Sequence, residues 1–295
     1  MKNYYIGLAL AAMSLSACSH KEDIASPLVG QPINATFSVG AALTRVNTLD
    51  EYANKWENGD KVKAIVTGGG KTTESVLTAT VSEGGSVSWS HHKNFVWQDN
   101  GQHKIYVSYP SDYPCEESGN LILPTEQNSL EGLKGADYIG GSYEGYPDDY
   151  VSILAAHRLV LVTVTYEIGS ADFPEATALE NPVVISPCGK FSISTKGEAI
   201  GAAGSSAVEV AAYKHKDANK FSAIIVPGKI SAGSEFLSFS VGGKNYVSKL
   251  KYSDTTFEGG TCYTYKLKVG KDKVELTQIK VEGGLPGWKN EEELK

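Results

Sequence analysis

Residues 36–46 read "TFSVGAALTRV", from Thr36 to Val46. Phe37, Val39, Ala41 and Leu43 fall on every second position, the pattern of a β-strand with one buried face. A helix would space its apolar side chains three and four apart, and this stretch does not. Arg45 then follows, and the chain carries only one other arginine, Arg158, its remaining basic residues being lysines.

The same period of two recurs along the chain, with Gly, Asn, Asp and Ser clusters between the runs, so the fold class expected is all-β. Candidate strands are Lys61–Thr67, Val76–Val81, Lys104–Tyr109, Leu159–Ile168, Pro182–Ser186, Phe221–Pro227, Glu235–Val241, Thr261–Val269 and Val274–Val281. Gly68-Gly69-Gly70, Glu83-Gly84-Gly85 and Gly242-Gly243 read as hairpin turns. Helical periodicity lasts about two turns at most, and Asn47–Lys55 and Ser129–Gly135 are the best short candidates.

Ahead of the opening strand lies an export signal. Lys2 supplies a positive start and Ile6–Ala12 an apolar stretch, too short for the roughly 20 residues that span a bilayer. It ends in Leu15-Ser16-Ala17-Cys18, which is similar to the bacterial lipobox, so Cys18 is the expected lipidated first residue of the exported chain. Each methylene of an attached acyl chain buried in the bilayer contributes about 0.8 kcal/mol. The charged run Ser19-His20-Lys21-Glu22-Asp23 resembles the surface-export tag of lipoproteins. Membrane attachment is therefore expected through lipid alone.

The whole chain of 295 residues has 27 Lys and Arg against 34 Asp and Glu, a net charge of −7. Removing the signal takes away Lys2 and makes the balance more acidic. Nucleic acid is excluded as a partner, because its phosphates require basic clusters. Beyond Cys18 the cysteines are Cys115, Cys188 and Cys262; one pair, or none, forms a disulfide. No CxxC pair points to zinc or redox chemistry.

The expected organisation is a lipoprotein signal peptide over 1–17, a tether over 18–30, β-sandwich domains over 31–152 and 153–288, and a polar tail over 289–295. Each of the two large blocks is long enough for a core of its own. The boundary follows a stretch, Pro110 to Tyr150, that is rich in Gly, Tyr, Pro and Asp and poor in strand signals. A loop of that length has a function or marks a junction.

A collinear series of short motifs resembles the fimbrillin family, the subunits and accessory proteins of type V pili. The lipobox cysteine is followed by "ATFSVG" and a Thr44-Arg45 pair, then by Trp56-Glu57-Asn58-Gly59-Asp60-Lys61-Val62. Val107-Ser108-Tyr109-Pro110, Leu123-Pro124-Thr125-Glu126-Gln127 and Gly135-Ala136-Asp137-Tyr138 continue the series. Ala156-His157-Arg158-Leu159, Ile225-Val226-Pro227, the Gly260–Tyr265 strand and Trp288 complete it.

The resemblance implies two tandem transthyretin-like β-sandwiches and a role in building or tipping a surface fibre. It also implies that an N-terminal strand fills a groove until an arginine-specific protease cuts behind it. A neighbouring subunit's strand then takes its place by β-augmentation. Here Phe37, Val39, Ala41 and Leu43 form the expected plug, worth on the order of 4 to 8 kcal/mol gross. The Arg45–Val46 bond is the expected cut; the plain alternative is that Arg45 is a solvated loop residue. Arg158 leads into an apolar strand, where folding is expected to shield it. The chain ends Trp288-Lys289-Asn290-Glu291-Glu292-Glu293-Leu294-Lys295, too charged for a dry groove. An end-of-fibre or accessory subunit therefore fits as well as a shaft subunit.

Gly140-Gly141-Ser142 and Gly84-Gly85-Ser86 lack the last glycine of a nucleophile elbow, and no phosphate-binding loop is present. His91-His92 with His103 lack a convincing third ligand, Asp148-Asp149 read as turn residues, and His157 as a structural histidine. No enzyme activity, cofactor or metal is expected. Tyr109, Tyr113, Tyr138, Tyr143, Tyr146 and Tyr150 gather in the long loop. Of these, Tyr138, Tyr143 and Tyr146 are the expected contacts to a host glycan or protein receptor, unless the cluster caps a core. The other expected partners are further pilus subunits, in a homo- or heteropolymer. A different function remains open, that of a glycan-binding outer-membrane lipoprotein of a nutrient uptake system. Trp89 and Trp97 are the nearest thing to its tryptophan platform.

Overall fold

The computed structural model describes residues 28–40, 56–173, 178–194, 196–216, 218–250, 254–279 and 288–290. Cys18, Ala41, Leu43, Arg45, Val46 and the expected helix at Asn47–Lys55 lie outside these residues. The chain is nearly all β, as the alternation predicts.

The first sheet contains β1 (Ala35–Val39), β2 (Lys61–Gly68), β3 (Lys71–Val81), β4 (Val87–Trp89) and β5 (His103–Tyr109). After β6 (Leu121–Ile122) and α1 (Leu130–Ala136), β7 (Ile139–Gly145) and β8 (Val151–His157) complete it. The strand order is β1-β8-β7-β5-β2-β3-β4. β2 and β3 are joined across Gly68↔Lys71, which leaves Gly69 and Gly70 as a two-residue loop with φ of +52° and +70°. Positive φ at both positions defines the type I′ turn, whose twist matches the strands it joins. The sheet curls until its end strands meet, with the Phe37 ring of β1 4.8 Å from the Trp89 ring of β4. Inside lies a core of Ile33, Phe37, Val62, Val66, Leu77, Trp97, Ile105 and Ile153 among others.

The second half adds β9 (Val160–Ile168), β10 (Leu179–Ser186), β11 (Lys190–Ile193), β12 (Ala199–Gly201), β13 (Val208–Ala211), β14 (Tyr213–Lys214) and β15 (Lys220–Ile225). β16 (Gly228–Ile230), β17 (Glu235–Val241), β18 (Lys244–Lys249), β19 (Thr255–Phe257), β20 (Thr261–Val269), β21 (Val274–Ile279) and β22 (Lys289–Asn290) follow. One sheet runs β13-β10-β17-β18 and another β14-β15-β9-β20-β21, with β22 beside β20. β9 lies in the middle, antiparallel to β15 and parallel to β20, and its Val160, Leu161, Val162 and Val164 are fully enclosed. Both sheets contribute to one large core that includes Leu179, Val184, Phe221, Phe236, Phe239, Tyr263 and Tyr265.

β17 and β20 have the bounds expected from alternation, and α1 sits one residue later than expected. Its N-cap is Ser129, whose hydroxyl accepts from the Gly132 amide. The stretch read as a long loop differs most from expectation. It contains β6, α1 and β7, the last hidden by its glycines (Ile-Gly-Gly-Ser-Tyr-Glu-Gly). Moreover Tyr113, Leu123, Leu133, Ala136 and Tyr138 belong to the large core of the second half, and β6 pairs with β11. The expected boundary after residue 152 groups this segment with the earlier strands; its side chains share a core with the later ones.

Candidate functional site

β1 pairs with β8 in parallel register, Ala35 opposite Val151 through Val39 opposite Ala155, and among the described residues it has no strand on its other side. Alternation within it is as read: Phe37 is 4% exposed, Ala35 and Val39 are half-buried, and Ser38 faces solvent. The Val151 amide donates to the Asn34 carbonyl and the Gly40 amide to the Ala155 carbonyl. The main-chain groups of the even-numbered residues thus face β8, and those of Ala35, Phe37 and Val39 face the free edge.

Among the described residues, the Trp56 side chain meets that edge. The Trp56 indole Nε1 donates to the Phe37 carbonyl at 2.7 Å. Its ring stands edge-on to Trp89 at 5.1 Å and to Tyr109 at 5.4 Å. Phe37, Trp56, Val62, Val107, Tyr109, Ile139 and Ala155 line a cleft with no room for a water molecule.

The Trp-Glu-Asn-Gly-Asp turn explains why Trp56 stays there. Asp60 Oδ2 accepts from the Glu57 amide at 2.7 Å, and Asp60 Oδ1 accepts from the Tyr109 hydroxyl at 3.2 Å. Asn58 Oδ1 accepts from the Val81 amide, and Gly59 adopts a φ of +94°, which favours glycine. Burial, with the Asp60 carboxylate beside it, pushes the Tyr109 phenol well above its ordinary range, so it stays a neutral donor. The Tyr150 hydroxyl adds a bond to Thr36 Oγ1 at 2.8 Å on the outer face.

Arg158 is half-buried, its Nε and Nη2 donating to the Gly140 carbonyl at 3.1 and 2.6 Å. That differs from a loop arginine offered to a protease. His157 Nδ1 lies 2.7 Å from Asp137 Oδ2, and both residues are buried. Trp288 stacks on the imidazole at 3.9 Å, and β22 runs parallel to the start of β20, Thr261 opposite Lys289. The first two residues of the expected polar tail are therefore paired with the chain itself.

The tyrosines separate into two groups. Tyr138 is 5% exposed, packed edge-on to Tyr113 and Phe191, which corrects its reading as a receptor contact: the large core holds it away from any external sugar. Tyr143 is half-buried, its hydroxyl turned back to the Tyr146 carbonyl at 3.3 Å. Tyr146 and Tyr150 are 66% and 53% exposed, and Leu154 on β8 is 57% exposed. Trp97 is buried and Trp89 is half-buried with its ring against Phe37 and Trp56, so neither forms a surface platform.

Among the described residues no group of three or more His, Cys, Asp and Glu side chains is arranged to hold a metal. No helix among them is long and apolar enough to cross a membrane. Cys115, Cys188 and Cys262 are free thiols.

The family and fold comparisons agree with this architecture. The sequence pattern of fimbrillin-like proteins matches residues 44–285. Among solved structures, the chain is similar to a candidate cell adhesion protein from Bacteroides ovatus, with a TM-score of 0.62 at 14% identity, covering 88% of this chain and 99% of that one. It is also similar to one from Bacteroides uniformis, with a TM-score of 0.58 at 18% identity, covering 76% of this chain and 92% of that one. At these identities the likeness is one of fold. No curated protein matches. With most of its length matched, the chain belongs to the fimbrillin-like family.

Proposed function

We propose that this protein is a subunit of a surface fimbrium, or an accessory or tip protein of one, and serves cell adhesion rather than catalysis. In this reading it is exported as a lipoprotein through Cys18 and cut between Arg45 and Val46. It then joins other subunits by exchange of the strand that carries Phe37, Val39, Ala41 and Leu43. The observation that carries the reading is the position of β1: among the described residues an edge strand with a strand neighbour on one side only, with Phe37 in the core, directly before the stretch containing Arg45. Such a strand can leave without breaking the ladder between the other six, and a partner strand can restore what it contributed. Family membership and the cell adhesion neighbours support the same assignment. The two hydrophobic cores support an organisation in two sandwich domains.

Mass spectrometry of the N-terminus of cell-surface material tests the reading. It predicts a pool lipidated at Cys18 and a pool beginning at Val46. A surface population that begins only at Cys18 contradicts the processing step.

Direct adhesion to a sugar is the second reading, favoured by the exposure of Tyr146 and Tyr150. A glycan array with the purified protein and with its Tyr146→Ala and Tyr150→Ala variants tests it. Binding lost in the variants supports the reading, and no binding to any glycan contradicts it.

A further inference from the structure

We infer that Trp56 is a main-chain clasp: it fixes the register of whatever strand occupies the β8 edge and sets how fast that strand departs. The inference deepens the strand-exchange reading above and, for its role in assembly, rests on it. Three observations carry it. The first is the bond from Trp56 Nε1 to the Phe37 carbonyl, which among the described residues is the side-chain hydrogen bond on the free edge of β1. The second is the sequence position of Trp56, on the far side of Arg45 from β1. A cut between Arg45 and Val46 would leave the clasp and the strand on separate pieces, joined only by non-covalent contacts. The third is the rigid turn beneath it, pinned by Asp60, Asn58 and Gly59.

The chemistry of the bond determines what it recognises. A backbone carbonyl carries no side-chain identity, so any strand in this register supplies the same acceptor. A slip of one residue turns that carbonyl toward β8 and leaves the indole N–H without it. Side-chain selection is left to the space Phe37 fills against Trp89, 4.8 Å away, which takes a large apolar ring. The occupant expected is therefore an extended segment of a second polypeptide, with an aromatic or large aliphatic residue opposite Ile153, where Phe37 lies now.

Hydrogen exchange on the intact chain tests the clasp independently of any cleavage. Trp56→Phe keeps an aromatic ring but removes the donor together with part of the ring bulk. Losing one such bond raises the exchange rate of segment 34–40 about five-fold, while β2 and β5 stay within about two-fold. Trp89→Phe is the comparison, because the Trp89 indole nitrogen has no hydrogen-bond partner. It is expected to leave segment 34–40 within about two-fold of the parent chain. Equal exchange in the parent and Trp56→Phe chains overturns the clasp, as does an equal loosening by Trp89→Phe, which would point to ring bulk. After cleavage at Arg45, the N-terminal piece is expected to leave Trp56→Phe about five-fold faster. A piece retained by both chains overturns the exchange reading instead, and leaves the hydrogen-exchange result to decide the clasp.

Discussion

At the scale of single residues, Gln127 has the clearest energetic role. It is fully buried; its amide nitrogen donates to the Ile224 carbonyl at 2.9 Å, and its Oε1 accepts from the Ile224 amide at 2.7 Å. The side chain thus stands in for a neighbouring strand where β14 no longer covers β15. Gln127→Leu leaves two buried main-chain groups unpaired, and a loss of about 2 to 4 kcal/mol is expected in urea unfolding. The thiols give a second prediction. Burial pushes the Cys262 thiol up to about 11 and raises Cys188 as well, whereas Cys115 is exposed. Only the thiolate reacts, and with a pKa near 11 roughly one part in a thousand of Cys262 is ionised at pH 8. In the folded protein at pH 8 a thiol reagent is expected to label Cys115 first, and Cys262 quickly only as pH approaches 11 or the chain unfolds. Mass mapping of the labelled peptides checks the order.

At the scale of elements, β1 is the strand whose loss matters most. Phe37→Ala removes a ring packed against Trp89 at the seam where the first sheet closes. A stability loss of about 3 kcal/mol is expected in thermal unfolding, with hydrogen exchange raised first in β1 and β4. The alternation of residues 36–39 made this strand legible in the sequence, and the Gly-Gly pairs made the hairpins at 69–70 and 242–243 legible. Its partner was not legible. β8 joins β1 in parallel across more than a hundred residues, and no local pattern encodes a pairing of that range. β7 was masked by Gly140 and Gly141. Cβ atoms there would come within 2.6 Å of the Tyr106 hydroxyl and 2.7 Å of the Leu154 carbonyl, so the glycines reflect close packing in a strand rather than a loop. The Trp-Glu-Asn-Gly-Asp motif was visible as a motif, but the role of Trp56 appeared only when the fold brought its indole to the Phe37 carbonyl.

At the scale of the whole molecule, the two cores divide the chain unequally. The segment from Tyr113 to Tyr138 leaves the first sheet and packs into the second half, where Gln127, α1 and β6 hold it. Arg158 and the buried His157–Asp137 pair tie the return path, and Trp288 lies over that pair. At the β1 end of the first sheet, the described fastenings are the β8 ladder, the Trp56 indole and the Tyr150 hydroxyl, with main-chain bonds from residues 30–33 to Phe95 and Trp97 just before the strand. An edge strand with a single strand neighbour is what the proposed exchange would use. The most direct test is to cut the folded chain with an arginine-specific protease and offer it an excess of labelled peptide spanning residues 31–45. The account predicts cleavage behind Arg45 with Arg158 spared, departure of the N-terminal piece and capture of one labelled peptide per chain. A chain that resists cleavage at Arg45, or that is cut there and captures no peptide, would contradict it.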